Sequence, residues 1–378
     1  MVPAAGRRAA ARGGAVITGE HSAPPGDKIA VIQLLRAAAA LTVAALHRAF
    51  AFADHLGPGL GIGPASRGEL PGQIAVMVFF VISGFVMVVS SRRLFARPGA
   101  RRVFWTRRVV RIMPPYWIAT GLLALVFLTL FPQPIDGLRF AQSLLLIPHW
   151  PPDGSIRPQP FLWVGWTLFY EMMFYALFGL FVAWRREAAI AGIMTVLGVL
   201  ALAGPGIPPE NAALFAATRP ITLVFGAGMV LALWRERGGS APAWLRWAAL
   251  AGLAAALWLV PAPANPAAMG FDFLAWAALP ALLIAFAALS GPLALPAAAF
   301  INRAGDASYA VYLLHVPLAW FWLWLWGRLP FFDPGPWDYW LSAFAATCGL
   351  GWLFFRWIER PMTLALNRRF APPHKADG

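Results

Sequence analysis

Pro71-Gly72-Gln73-Ile74-Ala75-Val76-Met77-Val78-Phe79-Phe80-Val81-Ile82-Ser83-Gly84-Phe85-Val86-Met87-Val88-Val89-Ser90-Ser91 runs for 21 residues without a charged side chain. As an α-helix this segment is about 31 Å long, enough to cross roughly 30 Å of hydrocarbon. A helix also satisfies its own backbone polar groups, which lipid cannot do. The chain contains ten such stretches, at 29–53, 71–91, 115–131, 161–184, 188–204, 212–234, 244–260, 270–290, 306–326 and 337–358. Pro and Gly punctuate the breaks, as in Pro132-Gln133-Pro134, Gly204-Pro205-Gly206 and Pro261-Ala262-Pro263. The expected fold class is all-α: a polytopic integral membrane protein of about ten transmembrane helices.

Composition agrees. Hydrophobic residues make up 60% of the 378, and charged residues only 12%, against about 25% in an ordinary soluble domain. That excludes a disordered chain and a soluble enzyme, whose surface needs more charge. The 19 Trp and 28 Phe suit rings that anchor at lipid headgroups.

The net charge of +14 would suggest nucleic acid in a soluble protein. In a membrane protein it reflects Lys and Arg gathered in cytoplasmic loops, and no nucleic-acid partner is expected. With ten spans and the N-terminus inside, 23 of the 30 basic residues fall on the cytoplasmic side. Six fall outside, and Arg36 lies within the first span. Adding or losing one span scrambles this bias, so both termini are expected to be cytoplasmic. Residues 1–28 read as a disordered basic cytoplasmic tail, 29–365 as one membrane domain, and 366–378 as a second cytoplasmic tail. The outer loop 132–160 carries an apolar run, Leu144–Ile147, too short to span; it either lies in the interface or re-enters.

Ionisable groups at bilayer depth cost a few kcal/mol or more and usually serve a function. Arg36 and His47 lie 11 residues apart on the first span, about three turns, so both project from one face. Arg36 either snorkels to headgroups or faces inward; His47 sits near the outer end. Glu171 in Trp166-Thr167-Leu168-Phe169-Tyr170-Glu171-Met172-Met173-Phe174-Tyr175 and His315 in Ser308-Tyr309-Ala310-Val311-Tyr312-Leu313-Leu314-His315 fall near mid-depth. Each is either a structural hydrogen-bonding group or a functional one. In the basic loop 92–111, Arg108 and Arg111 share a helical face ahead of Pro114-Pro115-Tyr116. The pair suits a phosphate-bearing ligand or anionic lipid headgroups. Ser83-Gly84 within a helix allows close helix approach or access to a cavity. Cys348 is the single cysteine, and the histidines are scattered, so no metal site and no intramolecular disulfide is expected.

In this order the phrases resemble the membrane acyltransferase 3 family. Arg36 and His47 match its Arg-ten residues-His signature, and Phe79–Phe85 its Phe-Phe-x-x-Ser-Gly-Phe. Arg108–Arg111 with Pro115-Tyr116 matches its basic motif; Trp166–Tyr175 and Ser308–His315 match two further motifs. The wording is closest to the exopolysaccharide-production acetyltransferases. Two departures stand out: Ala75-Val76-Met77 where that branch has Gly-Val-x, and Phe169 where it often has Asn.

The resemblance implies an O-acyltransferase of a bacterial inner membrane. It would move an acyl group, expected to be acetyl, from cytoplasmic acyl-CoA to a hydroxyl of an exopolysaccharide, O-antigen or lipid-linked glycan. Acetyl-CoA would be a co-substrate, with no bound cofactor. Partners would be membrane lipids, the glycan or glycolipid acceptor, and polysaccharide-assembly proteins. His47 is the expected general base, which Glu171 would orient or charge-compensate unless it helps to position the acceptor. Arg36, Arg108 and Arg111 would bind the donor, while Ser83, Tyr116, Trp166, Thr167, Tyr309 and His315 are candidates for the substrate pocket. Direct transfer and an acyl-histidine intermediate both remain open, as do acylation of a small secondary metabolite such as a macrolide and, in another class, a glycolipid transporter or flippase.

Overall fold

The computed structural model describes residues 30–56, 66–152, 154, 157–208, 210–328 and 336–370. The tail 1–28 and residues 371–378 lie outside the described residues. Among the described residues there are helices and no strand.

The chain forms α1 (Ala30–Leu56), α2 (Ser66–Ser91), α3 (Ala100–Thr129) and the short α4 (Gly137–Leu144). It continues through α5 (Trp166–Phe181), α6 (Arg186–Ala203), α7 (Ala212–Ala217), α8 (Leu223–Glu236) and α9 (Ala243–Leu259). Then come α10 (Phe271–Phe273), α11 (Leu279–Leu289), α12 (Ala298–Trp326), α13 (Pro336–Phe354) and α14 (Arg360–Phe370). Single π-helical stretches, Leu274–Ala278 and Phe355–Glu359, join α10 to α11 and α13 to α14. Among the described residues eight helical segments, rather than the ten expected, are long and apolar enough to cross a membrane, and Ala243–Leu259 is a shorter apolar helix. The protein is thus an all-α polytopic membrane protein. Its outward surface carries large apolar side chains such as Leu125, Leu128, Leu202, Trp244, Trp258 and Phe300, as a lipid-facing surface requires.

Several boundaries differ from the sequence reading. The third span begins at Ala100 rather than 115, because the basic stretch is itself helical and continues through Pro114-Pro115. Arg108 and Arg111 therefore stand on α3 and not in a loop. The ninth begins at Ala298 rather than 306. The last continues through its π-stretch to Phe370 rather than ending near 358. The span expected over 212–234 breaks at Arg219-Pro220. Pro220 has no N–H to donate, and the Arg219 side chain instead donates to the carbonyls of Phe215 (3.0 Å) and Gly204 (2.8 Å).

The Leu144–Ile147 run ends α4, which packs on α3. Tyr116 Oη and Trp117 Nε1 donate to the carbonyls of Ser143 (2.9 Å) and Leu144 (2.8 Å). Ser143 Oγ accepts from the backbone N–H of Phe161 at 2.7 Å, which fixes the segment entering α5.

Two packings position the site. α2 lies along α8 at a reciprocal glycine contact: a Cβ on Gly84 would strike the Phe225 carbonyl, and one on Gly228 the Val81 carbonyl. The small residues let the two backbones touch, so the Ser83-Gly84 step serves close approach at Gly84. α1 packs along α12 in parallel. Gly305 admits the Gln33 backbone, and Gln33 Nε2 donates to Asp306 Oδ1 at 3.1 Å.

Candidate active site

The parallel packing of α1 and α12 sets two histidines at one height. His47 and His315 each lie 17 residues past the start of their helices, about 26 Å along. The earlier start of α12 removes the depth difference expected between them. His47 Nδ1 and His315 Nε2 are 2.8 Å apart, with the rings stacked at 5.0 Å between centroids. His315 is fully buried, and its Nδ1 lies 2.6 Å from the Tyr312 carbonyl oxygen. A carbonyl only accepts, so His315 Nδ1 carries the proton. In the neutral pair His315 Nε2 then accepts from His47 Nδ1–H. The lone pair of His47 is left on Nε2. Trp163 packs edge-on against the His47 ring at 4.4 Å.

The two histidines line a cavity of about 380 Å³ with Glu69, Gln73, Arg157, Trp163, Trp166 and Trp320. A second cavity, of about 120 Å³, lies nearer the start of α1. It gathers Arg36, Arg108, Arg111, Ser83, Thr167, Glu171 and Tyr309. Val76 and Tyr312 line both cavities and form the wall between them. Tyr312 Oη lies 2.9 Å from both Thr167 Oγ1 and the Val164 carbonyl, which fixes its ring in that wall.

Glu171 belongs to the smaller cavity. Its Oε1 accepts from Ser83 Oγ at 2.8 Å and from Tyr175 Oη. Glu171 and His47 line different cavities, and the His47 ring stacks on that of His315. Arg108 donates to Ser90 Oγ at 2.8 Å and packs over the Phe104 and Tyr175 rings. Arg36 sits among the charges of Arg111, Asp306 and Glu359. Tyr309 Oη donates to the Ile112 carbonyl at 2.9 Å and ties α12 to α3. Trp166 faces the histidine cavity. Tyr116 lines neither cavity and instead holds α4. Phe169, too, lies outside both, packed edge-on against His149. Among the described residues no cluster of His, Cys, Asp and Glu is arranged to hold a metal ion.

A histidine pair beside a compartment of fixed cations is chemically able to serve group transfer from an anionic donor. The acyltransferase-domain family model (Acyl_transf_3) matches residues 29–356. The chain belongs to the acyltransferase 3 family. It is 34% identical to "Exopolysaccharide production protein ExoZ" of Rhizobium meliloti (strain 1021), over 65% of this chain and 75% of that protein. It is 30% identical to "Acyltransferase MdmB" of Streptomyces mycarofaciens, over 65% of this chain and 67% of the relative. No solved structure matches significantly. The protein is therefore a membrane O-acyltransferase, and an acyl donor is its co-substrate.

Sequence alone does not single out Arg157 or Glu69. Arg157 falls among the outer-loop charges, yet it sits 4.4 Å from the Trp166 ring centre in the histidine cavity of this acyltransferase. Burial pulls its guanidinium below the ordinary arginine range, partly offset by Tyr170, Glu69 and Tyr312. The signal available was Arg157-Pro158 within a loop that ends at the Trp163–Tyr175 motif.

Proposed function

We propose that the enzyme moves an acetyl group from cytoplasmic acetyl-CoA to a hydroxyl of a glycan or lipid-linked glycan, in the inner membrane of a bacterium. The observation that carries this is the pair of cavities in series along α1: three arginines in one, a histidine dyad in the next, and one shared wall. The charge bias of the loops supports a cytoplasmic mouth on the arginine side and cytoplasmic termini. The name of the relative from Rhizobium meliloti supports a saccharide acceptor.

Arg108 and Arg111 bind donor phosphates, and Arg36, one helical face deeper, meets the pantetheine end. Glu171 orders Ser83 and Tyr175 along the donor arm on the arginine side of the wall. His47 Nε2 takes the acceptor hydroxyl proton while the oxygen attacks the thioester carbonyl. The C–S bond then breaks, the ester is released, and the thiolate recovers the proton from His47. His315 holds the His47 tautomer and shares the transient positive charge through the 2.8 Å contact. The reacting carbonyl must pass the Val76–Tyr312 wall, and a two-carbon acyl group does so with the least displacement.

Membranes carrying wild type or His47→Ala, given labelled acetyl-CoA and a glycolipid extract, test the reading. Label should enter glycolipid with wild type and be lost with His47→Ala at equal protein level. Undiminished transfer by His47→Ala defeats the assignment of the base. No transfer by wild type defeats the donor or acceptor assignment.

A further inference from the structure

The histidine cavity holds a cation that the reaction just described does not use. Arg157 reaches it from the connecting segment before α5, while the donor phosphates are served by arginines beyond the Val76–Tyr312 wall. Its guanidinium rests 4.4 Å from the Trp166 ring centre, and its Nε is shielded from solvent without a hydrogen-bond partner. A buried N–H left unpaired is costly, so its retention points to a ligand that completes it. Stacking on an aromatic face immobilises a guanidinium while its donors stay in its own plane, the arrangement that meets two oxygens of a carboxylate or phosphate. Glu69 and Gln73 add groups suited to hydroxyls, and the volume of about 380 Å³ is within the range of small-molecule sites.

We infer that the acceptor is an anionic saccharide: Arg157 grips its oxyanion while a neutral hydroxyl of the same ligand meets His47. This rests on the acyl-transfer reading above and names its substrate class. The oxyanion is either a carboxylate on the sugar ring or the diphosphate of an isoprenoid-linked sugar. In either case Arg157 selects which hydroxyl reaches the base, because the distance from the oxyanion to His47 is fixed by the cavity.

The test uses the full chain in lipid nanodiscs, with binding followed by tryptophan fluorescence at constant ionic strength. Two matched probe pairs are compared: methyl glucuronide with methyl glucoside, and farnesyl diphosphate with farnesol. Wild type should bind the charged member of one pair at least about tenfold tighter than its neutral counterpart. Arg157→Gln should bring that ratio close to one, and Arg157→Lys should keep part of it. A preference in the first pair assigns the ring carboxylate; one in the second assigns the diphosphate. The proposal is overturned if wild type discriminates in neither pair, or if Arg157→Gln keeps the full ratio. It is also overturned if Arg157→Gln weakens charged and neutral members alike, the mark of a structural clamp on Trp166. Acetyl-CoA binding in the same discs reports whether each variant is folded; should Arg157→Gln fail there, the wild-type ratio and Arg157→Lys decide. A wild type that prefers the anion but binds no acetyl-CoA defeats the acyl-transfer reading and leaves the Arg157 assignment standing.

Discussion

The two cavities are built differently. The arginine cavity is walled by α1, α2, α3, α5 and α12 alone. The histidine cavity shares α1, α2, α5 and α12 but takes Arg157 from a connecting segment and Trp163 from the 3₁₀ turn Trp163–Gly165. A helical wall holds its side chains at fixed register, which suits an invariant donor such as the acyl-CoA proposed above. A wall that is partly loop tolerates substitution and insertion, which suits acceptors that differ between enzymes of one family. The difference predicts that helix changes act on donor use and chemistry, while changes in 145–162 act on acceptor choice.

The largest effect should come from breaking the dyad. His315→Ala removes the acceptor of the His47 Nδ1–H bond and frees the imidazole to take the wrong tautomer. Acyl transfer should fall by about 10²- to 10⁴-fold, the usual span for a positioned acid–base group. Acetyl-CoA binding, measured separately, should stay near wild type. Loss of donor binding in this variant would mean that the two cavities are not functionally distinct.

Next in size is the contact that sets α2 against α8. A leucine at Gly84 would have to displace the Phe225 carbonyl and thus the backbone of α8. The expected cost is about 3 kcal/mol or more, at the upper end for overpacking, read as a lower midpoint of thermal unfolding in detergent. Ser83→Ala on the same turn keeps the helix contact and removes only the hydroxyl that donates to Glu171. It should cost about 1 kcal/mol and act on the arginine cavity alone. Arg108→Ala sharpens the comparison from the donor side: loss of one charge-assisted contact of about 1.5–3 kcal/mol should raise the KM for acetyl-CoA roughly 10- to 100-fold with kcat largely kept. An equal fall in kcat would place Arg108 in the chemistry instead.

Legibility in the sequence follows the same division. Arg36, Ser83, Arg108, Arg111, Thr167, Glu171 and Tyr309 sit in helical phrases, and helical period puts residues of each phrase on one face. All seven line one cavity. The all-α membrane class was legible because lipid demands long uncharged runs; the count of ten was not, since eight segments among the described residues are long and apolar enough to cross. The boundaries at Ala100 and Ala298 were not, because helices can extend beyond hydrocarbon thickness and charge does not end them. The His47–His315 partnership was hidden because it depends on how α1 and α12 align, which no local pattern records. Those residues are 268 apart in the chain. Arg157 was hidden for a different reason: a loop arginine has no period, so only tertiary contact distinguishes it from a solvated topological charge.

The smallest expected effect loosens the loop wall and leaves the helical one untouched. Asp136 caps α4 by accepting from the Arg139 N–H at 3.0 Å. That backbone hydrogen bond, before any other influence, holds the exposed Asp136 carboxyl below its ordinary pKa. A depressed carboxyl contributes stability above its unfolded pKa and loses it as pH falls through the folded value. The cap is therefore complete at neutral pH and lost only under acid conditions. Asp136→Ala should mimic that loss at neutral pH: hydrogen exchange of the first amides of α4 should quicken, while that of α2 and α12 should not change. Because Ser143 of α4 ties down the Phe161 N–H, the disturbance should pass into the segment bearing Arg157 and appear as a modest rise in acceptor KM with unchanged KM for acetyl-CoA. A matching rise in both constants would mean that α4 braces the whole bundle through Tyr116, and that the loop-built and helix-built walls yield together.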